Sequence, residues 1–158
     1  MGIKDNKHLF ERRQQMWNSG ESNLVDEIFA SNYIGHTPRE DIEGRESVKK
    51  LVTQMHEAFP DFELTYDPIV ADEDYVTVKV EIRGTHEGNL GGLAPTGNEV
   101  KVSGMIISRI EDGKVVEEWR QMDTMGMFQQ LGGQPGSVDA QRVELGIQEK
   151  QDQRARRR

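Results

Sequence analysis

Asp123, His86 and His36 are the side chains of this sequence best suited to moving a proton. An aspartate has an ordinary pKa of about 3.9, so a base working near neutrality must be shifted upward, which enclosure among apolar walls does by disfavouring charge. Asp123 also precedes a segment, Thr124 to Leu131, that reads as a short helix. There its carboxylate would cap free backbone donors and favour the helix dipole. The two roles are not exclusive. For His36 and His86, an imidazole acting on a substrate oxygen and a structural hydrogen bond to loop backbone weigh about equally. Trp17, Tyr33 and Trp119 suit stacking on a flat ligand, with ordinary core the stronger reading for Trp17, and Gln121 adds an amide. His8 and His56 read as structural or solvated. No His-x-Glu, His-x-x-x-His or carboxylate cluster stands at ligand spacing, so neither a metal nor another cofactor is expected. The absence of cysteine removes thiolate chemistry and disulfides.

These side chains need a scaffold. Leu9, Phe10, Met16 and Trp17 recur at helical spacing between Asp5 and Ser19, and Gly20 ends that segment. Ser22 suits the cap of a short second helix with Leu24, Val25, Ile28 and Phe29 on one stripe. Asn32 to Gly44 reads as a loop. Val48, Leu51, Val52, Met55 and Phe59 mark a third helix, which Pro60-Asp61 stops. The period then changes to two. Phe62, Leu64 and Tyr66 alternate in a strand that Pro68 confines to an edge or a bulge. Val76, Val78, Val80 and Ile82 alternate in a second strand, with His86 in step with its buried set. Glu87 to Asn98 is glycine-rich and reads as a loop at the mouth of the sheet. Glu99 to Ile110 and Lys114 to Asp123 form a hairpin about Asp112-Gly113, a type I′ signal. Three helices followed by an antiparallel four-strand meander give an α+β fold.

A two-residue turn sets Ile110 opposite Val115. Val115, Glu117, Trp119, Gln121 and Asp123 then share a face with Ile110, Ser108, Ile106, Gly104 and Val102, placing an amide and a carboxylate beside an apolar floor. Arg83 and Arg120 alternate away from that face, towards surface ion pairs. A bulge in the hairpin would turn the set over. Met122, Met125, Met127 and Phe128 form an adaptable apolar cluster suited to closing the fold or to a subunit contact.

Five stretches in order, Tyr33-Ile34-Gly35-His36, Ala58 to Phe62, Arg83 to Gly88, Pro95-Thr96-Gly97 and Glu111 to Trp119, carry a resemblance to the SnoaL-like polyketide cyclases, and Asp123 and Gln129 to Gly132 continue it. The resemblance runs from about the first helix to Leu131. It implies an NTF2-like cone: three N-terminal helices on a curved antiparallel sheet that encloses a pocket. It further implies that Asp123, at the end of the last strand, acts as acid or base in cyclisation, isomerisation or hydration of a small apolar or cyclic carbonyl compound. The same cone also suits a ligand-binding or dimerisation module without chemistry. One departure stands out. The aldol cyclases of this family place a His and a Gln on the strand before the hairpin, and Glu99 to Ile110 contains neither. Gln121 and His86 are the substitutes available.

A chain of 158 residues is near the size of one domain, expected over 1–132, with 133–158 as a Gly/Pro linker and polar tail. The formal net charge of −8 argues against a nucleic-acid groove on the main body. No apolar run approaches the ~20 residues of a membrane span. Met1 to Asn6 lacks a secretory pattern, so a cytoplasmic address is expected, with a small-molecule ligand and a second copy of the chain as partners.

Overall fold

Leu9, Phe10, Met16 and Trp17 lie on one buried face of a helix, α1 (Ile3–Ser19), in the computed structural model, which describes residues 2–132. The linker and tail expected over 133–158 fall outside the described residues. Gly20 ends α1 with a left-handed φ of 75°, its amide bonded to the Met16 carbonyl. Ser22–Leu24 make one 3₁₀ turn and α2 (Val25–Ile28) a single α turn, because Phe29 already belongs to a strand.

That strand corrects the expected loop over 32–44. β1 (Phe29–His36) and β2 (Asp41–Glu43) are both ordered. The helix α3 (Arg45–Ala58) follows, then β3 (Glu63–Ala71), β4 (Tyr75–Thr85), β5 (Glu99–Glu111), β6 (Lys114–Met122) and α4 (Thr124–Gln130). The sheet has six strands in the order β2-β1-β6-β5-β4-β3. Every pairing is antiparallel except β1 with β6, so the sheet is mixed rather than a pure meander. β3 is an edge and its register slips between Tyr66 and Ile69, so Pro68, which has no ladder donor, is accommodated both ways. The turn at Asp112 and Gly113 has φ of 51° and 74°, as a type I′ turn requires.

The hairpin starts in the expected register, with Glu111 opposite Lys114 and Ile110 opposite Val115, and then slips by one residue. From Arg109 opposite Glu117 onward, Ser108 faces Glu118, Ile106 faces Arg120 and Gly104 faces Met122. Val115 and Val116 are consecutive and both buried, the mark of an extra residue in one strand. The slip turns the rest of β6 over: Glu118, Arg120 and Met122 point into the fold, while Glu117, Trp119 and Gln121 point out.

α1, α3 and the inner face of β3–β6 enclose the apolar core, which includes Phe10, Trp17, Leu51, Phe59, Leu64, Val80 and Ile106. Met127 and Phe128 of α4 are buried against it, whereas Met125 is exposed. No helix among the described residues is long and apolar enough to cross a membrane.

Candidate functional site

Between these layers lies a cavity of about 70 Å³, walled by α1, α3, β3–β6 and α4. Leu51, Met55, Val80, Ile106 and Met127 give it apolar sides. Its polar lining is unusual: Arg13 and Trp17 from α1, Tyr66 from β3, Arg120 from β6 and Thr124 at the start of α4, with no carboxylate among them. Arg13 Nε, Trp17 Nε1, Tyr66 Oη and Arg120 Nε are all buried without a hydrogen-bond partner among the described residues. A buried unmade donor costs about 1–3 kcal/mol, so four of them on one cavity call for acceptors beyond the described residues.

Arg13 is held from behind. It sits in the apolar stripe of α1, and its guanidinium lies over the rings of Phe29 at 4.8 Å and Phe10 at 5.1 Å. Nη1 and Nη2 donate to the two oxygens of Glu118 at 2.7 and 3.1 Å. Glu118 also accepts from Tyr33 Oη at 2.5 Å and Ser108 Oγ at 2.9 Å. Arg13 is 2% and Glu118 1% exposed, so the pair is dry. Burial by itself would raise the Glu118 pKa. Arg13, with help from Arg120 and the Tyr33 hydroxyl, outweighs burial and holds it at about 2. The Tyr33 hydroxyl is pushed well above its usual range, chiefly by burial and then by Glu118, and so stays a donor. A Cβ on Gly35 would collide with that hydroxyl, so glycine at 35 makes the reach possible. Burial likewise raises the Tyr66 pKa, against the opposing pull of Arg13.

Of the candidate catalytic and ligand-binding side chains, Trp17 lines the cavity, and Tyr33, His36, His86, Trp119, Gln121 and Asp123 do not. Tyr33 stands one layer behind it, on Glu118. His86 is fully buried, but Phe59, a cavity wall, lies against its ring at 5.7 Å. The Thr96 amide donates to His86 Nδ1 at 3.2 Å, which places the proton of the neutral ring on Nε2, and burial lowers its pKa. His36, Trp119 and Gln121 are on the outer face. His36 there bridges Asp41 at 2.9 Å and Glu117 at 2.7 Å, and those carboxylates, Glu117 foremost, raise its pKa. Trp119 is 40% exposed, beside the exposed Ile107 and Met105. Asp123 is exposed and caps α4, its Oδ1 accepting from the Gly126 amide at 2.9 Å. Arg83 does form the expected surface pair, with Glu81 at 2.7 Å, but Arg120 does not. Tyr66, Arg13 and Glu118 are thus site residues that reasoning from the sequence did not bring forward, and Arg120 is one that it placed on the wrong face. Two signals pointed to them: Arg13 interrupts an otherwise apolar helical stripe, and Val115-Val116 interrupts an alternation.

The family model described as SnoaL-like polyketide cyclase matches residues 7–131. Aklanonic acid methyl ester cyclase DauD of Streptomyces sp. (strain C5) is 29% identical over 131 residues, spanning 78% of this chain and 80% of that protein. Aklanonic acid methyl ester cyclase DnrD of Streptomyces peucetius is also 29% identical over 131 residues, spanning 78% of this chain and 88% of its own. Among solved structures, AclR from Streptomyces galilaeus superposes with a TM-score of 0.74 at 27% identity, covering 82% of this chain and 97% of its own.

Proposed function

The chain belongs to the SnoaL-like polyketide cyclase family, and on that footing we propose that it takes a small, largely apolar carbonyl compound into the cavity and promotes its cyclisation. One observation carries this reading: the unpartnered donors of Trp17, Tyr66 and Arg120 converge on an otherwise apolar space. In a ring closure of this class, a carbon next to a carbonyl gives its proton to a base, the enolate forms, and its carbon attacks a second carbonyl, whose π bond breaks and whose oxygen then takes up a proton. Negative charge gathers on the first oxygen, and fixed donors in a water-poor site stabilise that charge at no cost of reorganisation. The Tyr66 hydroxyl and the Arg120 Nε–H supply such donors. A water needs about 10–15 Å³ of such space, so about 70 Å³ has room for a compound of roughly one or two rings, or for one end of a longer one.

Asp123 is the proton acceptor in this reading. Its neighbours Met122 and Thr124 both line the cavity, which puts its backbone at the rim. To act, its carboxylate must leave the Gly126 amide. The relatives' names supply the first compound to try. Purified protein is incubated with aklanonic acid methyl ester and the products are followed by chromatography and mass spectrometry. Turnover is expected to fall by about 10²–10³ in Tyr66→Phe, the usual effect of removing one oxyanion donor. Asp123→Asn keeps a good helix cap while removing the base, so unchanged turnover in that variant would exclude Asp123 from the chemistry. Saturable binding without conversion, across this and related carbonyl compounds, would instead make the protein a ligand carrier.

A further inference from the structure

We infer that the ligand of this cavity carries a negative charge, a delocalised oxyanion on an apolar ring system, and that Arg120 is its counterion. The inference rests on the cavity being the ligand site, as proposed above, and adds the ligand's charge. It follows from a count of charges. Two guanidiniums, Arg13 and Arg120, line the cavity, and among the described residues the carboxylate buried beside them is Glu118. An ionised carboxylate offers about four acceptor positions. Those of Glu118 are taken: Oε2 accepts from Arg13 Nη1 and Ser108, and Oε1 from Arg13 Nη2 and Tyr33. Glu118 therefore neutralises Arg13 and has no position left for Arg120. The second guanidinium is close enough to influence Glu118, yet it forms no hydrogen bond or ion pair among the described residues, and its Nε is buried. One positive charge is left over at the cavity wall.

The rest of the lining selects for the same chemistry. The orphaned atoms on the cavity are three N–H groups and one hydroxyl, all able to donate. A ligand whose polar atoms are donors would leave these groups as they are, and a neutral carbonyl oxygen would accept from one or two of them, whereas an oxyanion takes several at once and also offsets the unpaired charge. Guanidinium suits this task because its planar fork matches a carboxylate or an enolised dicarbonyl through two parallel bonds. The apolar sides, Leu51, Val80 and Ile106 among them, exclude a small hydrated ion such as phosphate and favour a ring behind the charge.

Two probes of matched shape separate charge from ring: 2-naphthoate and its neutral carboxamide, titrated calorimetrically into the full chain near neutral pH. The carboxylate is expected to bind about ten- to a hundredfold more tightly, the worth of a charge-assisted hydrogen bond. That preference should vanish in Arg120→Met, with Arg120→Gln as a second, polar replacement if the first does not fold. Circular dichroism and the melting temperature check that either variant is native. Equal binding of the two probes to the wild type would overturn the inference and leave the cavity reading intact. A preference that survives in both variants would overturn the assignment to Arg120. Binding of neither probe at millimolar concentration would overturn both the inference and the reading it rests on.

Discussion

The two faces of β6 carry the same kind of interaction in opposite surroundings. Glu118, pointing in, is paired with Arg13 and enclosed by Tyr33 and Ser108. Glu117, one residue earlier and pointing out, is paired with His36 and Arg109 at 25% side-chain exposure. On the outside, water screens the charges and competes for every partner, so the cluster adjusts with pH and contributes little. On the inside a dry charge has to be matched, as Glu118 matches Arg13, and the half-buried Arg120, which has no such partner among the described residues, is where the proposed ligand charge would sit. Burial, more than residue type, separates a surface ion pair from a site.

The contrast breaks most sharply at Glu118. Glu118→Gln leaves Arg13 buried without its counterion and is expected to cost about 3–5 kcal/mol in urea unfolding, whereas Glu117→Gln should leave the unfolding midpoint nearly unmoved. Acid should act in the same direction as the first variant. The folded-state pKa of Glu118 lies below its unfolded value, so its contribution is present above about pH 4.5 and is lost as pH falls through about 2. Next in size is Tyr66→Phe, expected to lower turnover or ligand affinity at the cavity while leaving stability within about 0.5 kcal/mol, since its hydroxyl forms no hydrogen bond among the described residues. Asp123→Ala should cost about 1 kcal/mol of stability through the lost cap, and Asp123→Asn almost none. The smallest effect belongs to His36. Its folded pKa is raised, so its contribution is complete below its unfolded pKa of about 6.5 and fades as pH rises through the higher folded value. His36→Asn should flatten that slope in a pH series of unfolding curves, a change of at most about 1 kcal/mol.

Most of the architecture was legible because it follows from periodicity. The stripes of α1 and α3, the alternation of β4 and the Asp112-Gly113 turn each declare themselves within a dozen residues. β1 did not, because its pattern is broken by Gly35, its register slips between Phe29 and Ile34, and its parallel pairing with β6 joins segments far apart in the chain. The site was less legible for one reason. A single extra residue at Val115-Val116 inverts every later position of β6, so Trp119 and Gln121 were expected inside and Arg120 outside. Asp123 shows a different difficulty: the same residue type serves a helix cap and a proton transfer, and the cap is the contact it makes. Arg13 and Glu118 lie 105 residues apart, a pairing that no local pattern announces.

The chain holds two tryptophans, and the fold puts one on each face: Trp17 at the cavity with its indole N–H unpartnered, Trp119 on the outside. Their two indole resonances in a ¹⁵N-labelled sample, assigned with Trp119→Phe, report on the two regions separately during a titration with 2-naphthoate. A saturable shift of the Trp17 resonance is expected, with Trp119 stationary. Movement of Trp119 alone, or of neither, would contradict it.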